Sequence, residues 1–86
     1  MDLITLIGNL ETNLTREIVS TNEGDTVSYT ASSPKTVTIN STSYSNTNRL
    51  CLINKQSDII NLYITSYDFK KIVKINISDI TSISIS

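Results

Sequence analysis

Three lysines and two aromatic residues lie close together near the C-terminus of this 86-residue chain, at Tyr67, Phe69, Lys70, Lys71 and Lys74. Ammonium groups neutralise backbone phosphates and exposed rings stack on bases, so this combination is typical of surfaces that bind single-stranded nucleic acid. The alternative interpretation is a solvated strand face on which lysines discourage pairing with another sheet edge. The isoelectric point of about 5.1 favours this second interpretation, because the protein as a whole does not attract phosphate.

Acidic residues concentrate in the other part of the chain. Residues 1–34 hold five carboxylates and one arginine, a net charge of −4, whereas residues 35–86 hold six basic and three acidic residues, a net charge of +3. The two values sum to the overall net charge of −1. An acidic surface of this kind suits contacts with a protein partner. The residues expected to form it are Glu11, Glu17, Glu23 and Asp25.

The residues that usually carry catalysis are scarce. The chain has no histidine and a single cysteine, Cys51, which excludes a Ser-His-Asp or Cys-His arrangement and an internal disulfide. A zinc site is not expected, because such sites are built mainly from His and Cys. Asp58, Asp68 and Asp79 lie at predicted turns, where an aspartate bonds to nearby backbone. The sequence therefore predicts a protein that is not an enzyme and that uses no cofactor or metal.

Hydrophobic periodicity predicts the elements that must position these residues. Apolar residues at steps of three and four predict an amphipathic helix over residues 2–19, with Asp2 as its N-cap. Over residues 25–86, apolar and polar residues alternate in short runs, which predicts antiparallel strands joined by short loops. Two isoleucine-rich runs near the C-terminus, separated by Ser78-Asp79-Ile80, predict two strands with a turn or bulge between them.

These patterns together predict an α+β fold, mostly β, in a single domain of residues 1–86. The N-terminal amphipathic helix is followed by a five- to six-stranded antiparallel sheet that curls into a small barrel. Ser33-Pro34 predicts a break between two strands, and the Ser/Thr/Asn-rich segment 41–48 predicts an exposed hairpin tip.

Residues 4–10, Ile-Thr-Leu-Ile-Gly-Asn-Leu, resemble the opening strand of bacterial single-stranded DNA-binding proteins, whose OB-fold often begins with a similar run. A looser continuation of the pattern uses Glu17, Thr21, Gly24 and Val27. The resemblance covers the first third of the chain and implies a strand, not a helix, over residues 2–10. This sequence then departs from the family: it has no tryptophan, its aromatic stacking positions have no clear counterparts, and it is shorter than the family's usual domain.

The predicted order of elements also resembles Sm-like and SH3-like small barrels, which bind RNA, DNA or peptides and often assemble into rings. No motif of those families matches residue by residue, so the likeness concerns the fold and not the function.

The leading functional hypothesis is a small non-enzymatic protein-binding module, such as an inhibitor or adaptor encoded by a phage or another mobile element. The first alternative is a single-stranded nucleic-acid-binding small barrel, OB-like or Sm-like. The second is a self-assembling structural component that forms a homo-oligomer. We find no basic leader and no long apolar run, so we expect neither a signal peptide nor a membrane span, and a cytoplasmic protein (in the host cytoplasm if phage-encoded).

Overall fold

A computed structural model of the chain describes residues 1–21, 24–54 and 59–86. Within these ranges it contains one α-helix, one 3₁₀ turn and six strands. Their bounds are α1 (Leu3–Asn13), β1 (Thr15–Thr21), β2 (Gly24–Ile39), β3 (Thr42–Asn54), β4 (Asn61–Ser66), β5 (Ile72–Asn76), the 3₁₀ turn (Ile77–Asp79) and β6 (Ile83–Ile85). The strand pairs are antiparallel, which confirms the predicted α+β, mostly β class.

The helix α1 begins where the sequence predicts but ends earlier. Asp2 caps it, because its Oδ1 accepts a hydrogen bond from the Thr5 backbone nitrogen at 2.8 Å. The apolar stripe packs inward, with Leu6 and Leu10 fully buried. The strand implied for residues 2–10 by the resemblance to single-stranded DNA-binding proteins is therefore wrong. The predicted helix end at residue 19 is wrong as well, because the chain becomes extended at Leu14.

Residues 15–21 form β1 and not the second half of a helix. Four of its seven residues are β-branched, and such side chains lose rotamer freedom in a helix but pack well on a pleated sheet. The strand β2 also offers a partner along the whole segment, from Thr15 opposite Thr30 to Thr21 opposite Gly24. Ladder pairing thus outweighs the helical spacing of the apolar residues.

The long strand β2 changes partner half-way along. Its first half pairs with β1, and residues 37–39 pair with β6, while β3 pairs with it over both halves. The register to β3 shifts between Thr30 and Lys35, so Ser33-Pro34 lies at an irregularity within one strand and does not separate two strands. The predicted hairpin tip at 41–48 is also wrong, because the tip is Asn40-Ser41 and most of that segment belongs to β3.

The sheet does not close, so the predicted barrel is wrong. Its strand order is β1-β2-β3-β4-β5, with β6 joined to β2. In the part of the chain that the structure describes, β1 pairs with β2 alone and β5 with β4 alone. The 3₁₀ turn at Ile77–Asp79 confirms the predicted interruption between the isoleucine runs. It redirects the chain from β5 to the second half of β2, which leaves β1 and β5 as separate edges.

One face of the sheet, here called the core face, carries the hydrophobic core. The cross-strand registers place two rows of residues on it, Arg16-Tyr29-Leu50-Ile64-Val73 and Ile18-Val27-Leu52-Leu62-Ile75. Leu6 and Leu10 of α1 pack against this face together with Ile77 and Ile80. The opposite side, here called the outer face, carries the rows Thr15-Thr30-Arg49-Thr65-Ile72 and Glu17-Ser28-Cys51-Tyr63-Lys74.

Candidate nucleic-acid interface

The segment from Ser66 to Lys71, here called the 66–71 turn, joins β4 to β5 and confirms a turn around Asp68. The Phe69 backbone nitrogen donates to the Ser66 carbonyl at 3.0 Å, and the Ser66 backbone nitrogen donates to the Lys71 carbonyl at 3.0 Å. The Asp68 carboxylate accepts from the Ser66 hydroxyl at 2.7 Å and from the Lys70 backbone nitrogen at 3.1 Å. These internal bonds define the backbone of the turn before any ligand arrives.

The carboxylate of Asp68 accepts hydrogen bonds from within the turn. The hydroxyl of Ser66, and after it the backbone N–H of Lys70, lower the pKa of Asp68 below its ordinary value of 3.8. Asp68 is therefore ionised at neutral pH and partly offsets the charge of the two lysines beside it.

Phe69 is presented to solvent in an unusual backbone conformation. Its φ is 61°, in the left-handed region that costs a residue with a Cβ about 1–2 kcal/mol. Its side chain is nevertheless 59% exposed. The hydrogen-bonded turn maintains this geometry, and strained positions of this kind concentrate at binding sites.

Arg49 lies against the Phe69 ring, with its guanidinium carbon 5.4 Å from the ring centroid. It belongs to β3 and is opposite Thr65, the last residue but one of β4. The Nε atom of Arg49 is buried and has no hydrogen-bond partner among the described residues. Sequence reasoning missed this residue as part of the site. Its one signal was a positive charge at the start of the otherwise apolar Arg49–Ile53 segment.

Lys70 and Lys71 line an open cleft of about 330 Å³ between the turn and β3. The cleft also presents short side chains that can donate and accept hydrogen bonds, at Ser43, Ser45, Asn46, Thr47 and Ser66, and the Asp68 carboxylate, which can only accept them. Tyr67 does not line the cleft, and its hydroxyl donates to the Ser32 carbonyl of β2 at 3.3 Å. The turn thus carries two features: a cation-lined cleft that includes Ile64 and Val73 of the core face, and a cation–ring pair with Arg49 of the outer face.

Lys74 lies apart from the turn. It is exposed on the outer face of β5, opposite Tyr63 of β4. The structure therefore places four of the five residues predicted for nucleic-acid binding in one turn, adds Arg49 through its contact with Phe69, and leaves Lys74 on β5.

The acidic residues predicted to bind a protein do not share one surface. Glu11 of α1 forms an ion pair with Arg16 at 3.2 Å. Glu17 is on the outer face of β1, whereas Asp25 shares its side of β2 with Val27, on the core face. Glu23 lies outside the described residues. Of this set, Glu17 is the exposed carboxylate beside the sheet edge.

Comparisons with known proteins gave no relatives: no protein-family model, no curated protein and no solved structure matches this chain. Across residues 1–21, 24–54 and 59–86, no helix has both the length and the apolar character needed to cross a membrane. The same ranges contain no group of three or more His, Cys, Asp or Glu residues that could hold a metal ion.

Proposed function

We propose that this protein is a non-enzymatic protein that binds single-stranded nucleic acid through the 66–71 turn and through Arg49, which contacts Phe69 of that turn. The observation that carries the proposal is the Arg49–Phe69 pair, a cation 5.4 Å from the centroid of an exposed ring, in the turn that also carries Lys70 and Lys71.

Each part of this surface has a counterpart in a single strand. The ammonium groups of Lys70 and Lys71 attract backbone phosphates. The exposed ring of Phe69 offers a stacking platform, which in single-strand binders contributes about 1–3 kcal/mol per base. The hydroxyl and amide groups of the cleft can hydrogen-bond to base edges or to a ribose 2′-hydroxyl. A duplex hides its base faces in the stack, so this combination favours single strands.

The charge distribution limits the strength of this interaction. Residues 1–34 carry a net charge of −4 and residues 35–86 a net charge of +3, so attraction of phosphate comes from the second part of the chain and is opposed by the first. We therefore expect weak, salt-sensitive binding with a small site size, because few cations take part.

Fluorescence anisotropy with labelled 15-mer oligo-dT and oligo-U at low salt tests the proposal. A saturable rise is expected, and the Lys70→Ala/Lys71→Ala double variant should bind at least about tenfold more weakly, since two phosphate contacts are lost. Phe69→Leu should weaken binding while leaving the salt dependence unchanged, because it removes stacking and no charge.

Arg16→Ala is the matched control, because it removes a cation from β1, away from the turn, and should leave the affinity within a factor of two or so. Flat anisotropy with the unmodified protein would overturn the proposal. Equal losses in the Arg16 and lysine variants would show that net charge, and not this surface, governs the signal.

Protein binding through the acidic residues is the second candidate function. The feature that favours it is the exposed edge of β1, where Glu17 is next to Ile18, an isoleucine with 55% of its surface exposed. Charge reversal at Glu11, Glu17 and Asp25 should abolish capture of a partner from lysate, and unchanged capture would contradict this candidate. The finer hypothesis of a mobile-element inhibitor or adaptor remains a prediction.

A further inference from the structure

The sheet has three edge strands in the described ranges: β1, β5 and the three-residue β6, which pairs with β2. In the described ranges each has a hydrogen-bonded neighbour on one side only. An edge strand directs a row of backbone N–H and C=O groups away from its own sheet and is a template for pairing with another chain. The edges of β1 and β5 are therefore candidates for pairing with a strand of another chain.

A continuous row of residues crosses the outer face from one edge to the other. It begins at Glu17 and ends at Lys74, passing through Ser28, Cys51 and Tyr63. Both charged side chains are exposed. The β1 edge therefore presents a carboxylate and the β5 edge an ammonium group on the same face of the sheet.

The adjacent row on the core face is apolar along its length. It runs from Ile18, 55% exposed, to the half-buried Ile75, through Val27, Leu52 and Leu62. Each edge consequently offers an apolar side chain on the core face next to its charged residue on the outer face.

Strand direction decides how two copies could continue one sheet. Four successive antiparallel pairs separate β1 from β5, so the two edge strands run in the same direction. A second copy that keeps the same face outward would place its β1 parallel to β5 of the first. Because side chains alternate with a period of two, Glu17 and Lys74 then share the outer face and Ile18 and Ile75 share the core face. The register that places Glu17 beside Lys74 also places Ile18 beside Ile75, and it is the register that joins opposite charges.

We propose that copies of this chain associate head to tail, with β1 of one copy pairing in parallel with β5 of the next. Pairing of like edges lacks this charge complementarity, because two β5 edges both present Lys74 and two β1 edges both present Glu17. The contact is heterologous, so it generates either a ring or an open filament. It does not depend on nucleic-acid binding, which uses the 66–71 turn.

Size-exclusion chromatography with light scattering, over a range of protein and salt concentrations, tests this association. The unmodified protein should exceed the monomer mass at high concentration and low salt, and shift towards monomer as salt rises. Glu17→Lys and Lys74→Glu should each weaken association by roughly fivefold or more, since an attraction becomes a repulsion. Circular dichroism checks that each variant is folded.

The double variant Glu17→Lys/Lys74→Glu is the decisive control. It reverses both charges, so it should recover the association that each single variant loses. A mixture of the two single variants should recover it as well, because one variant then carries two basic edges and the other two acidic edges, and alternating copies are complementary at every contact. A monomer at every concentration overturns the proposal. So do single reversals without effect, and so does a double variant no better than the singles, because the contact would then not join Glu17 to Lys74. All three results leave the oligonucleotide experiment unaffected.

Discussion

The side chain of Asn40 connects the tip of the β2–β3 hairpin to Thr81, 41 residues later in the chain. Its Oδ1 accepts hydrogen bonds from both the backbone nitrogen and the hydroxyl of Thr81, each at 2.8 Å. Its Nδ2 donates to the Asp79 carbonyl at 2.9 Å. One residue thus holds the segment between the 3₁₀ turn and β6 in position to pair with β2.

Asn40 combines this role with a left-handed backbone, φ 59°. Asn40→Gly keeps the conformation accessible but removes the side-chain bonds, so we expect it to lower the free energy of unfolding by about 1–3 kcal/mol. Asn40→Ala should cost roughly 1 kcal/mol more, because alanine disfavours positive φ. Urea denaturation followed by circular dichroism measures both, and an alanine variant as stable as the glycine variant would contradict the backbone argument.

Phe69 offers a second test of backbone strain, within the proposed binding turn. Glycine should be more stable than alanine at this position by about 1 kcal/mol, since both lack the ring and only glycine adopts φ 61° freely. Thermal denaturation of Phe69→Gly and Phe69→Ala gives the comparison. Tyr67 has no positive φ and is the matched control site. There the alanine variant should be at least as stable as the glycine variant.

The pKa of Asp68 is expected to respond to Ser66. The Ser66 hydroxyl is the main cause of the lowered pKa of this carboxyl. Because the pKa of Asp68 is lower in the folded state than in the unfolded state, the ionised carboxylate stabilises the fold fully at a pH above its unfolded-state pKa. This stabilisation is lost as the pH falls through the folded-state pKa, hence below about pH 4. Ser66→Ala should raise the Asp68 pKa towards 3.8, as followed by carboxyl NMR titration.

Asp2 is the internal control for that titration. The Thr5 backbone N–H lowers its pKa at the start of α1, independently of the turn. Its titration should be the same in Ser66→Ala and in the unmodified protein. An Asp68 pKa that does not move would mean that the hydroxyl contact is absent in solution.

The two faces of α1 should respond very differently to truncation. Leu10 is fully buried and Ile4 is 85% exposed. Leu10→Ala should lower the free energy of unfolding by about 2–5 kcal/mol, because it leaves a cavity in the core, whereas Ile4→Ala should change it by no more than about 0.5 kcal/mol. Chemical denaturation of the two variants measures the difference, and equal effects would show that α1 does not pack as described.

Local patterns in the sequence determined the element types and part of the candidate site. The Asp2 cap, the apolar stripe through Leu6 and Leu10, and the alternating isoleucines are short-range signals, because helices and strands repeat over a few residues. Tyr67, Phe69, Lys70 and Lys71 are neighbours in the chain, so one turn was enough to bring them together. The boundary between α1 and β1 could not be predicted from local sequence, because Ile18 fits both the helical and the strand spacing of apolar residues. Pairing with β2 determined that residues 15–21 form a strand.

Only the tertiary structure decided which distant residues meet. Arg49 reaches Phe69 through the register of β3 against β4, and Asn40 reaches Thr81 because β6 pairs with the end of β2. Four successive strand pairings place Glu17 and Lys74 at opposite ends of one row. A hydrophobic alternation specifies which face a side chain occupies, but not which strand lies beside it. The alternation therefore could not show whether the sheet closes into a barrel. Closure depends on which strand the last strand pairs with, and here β6 pairs with β2.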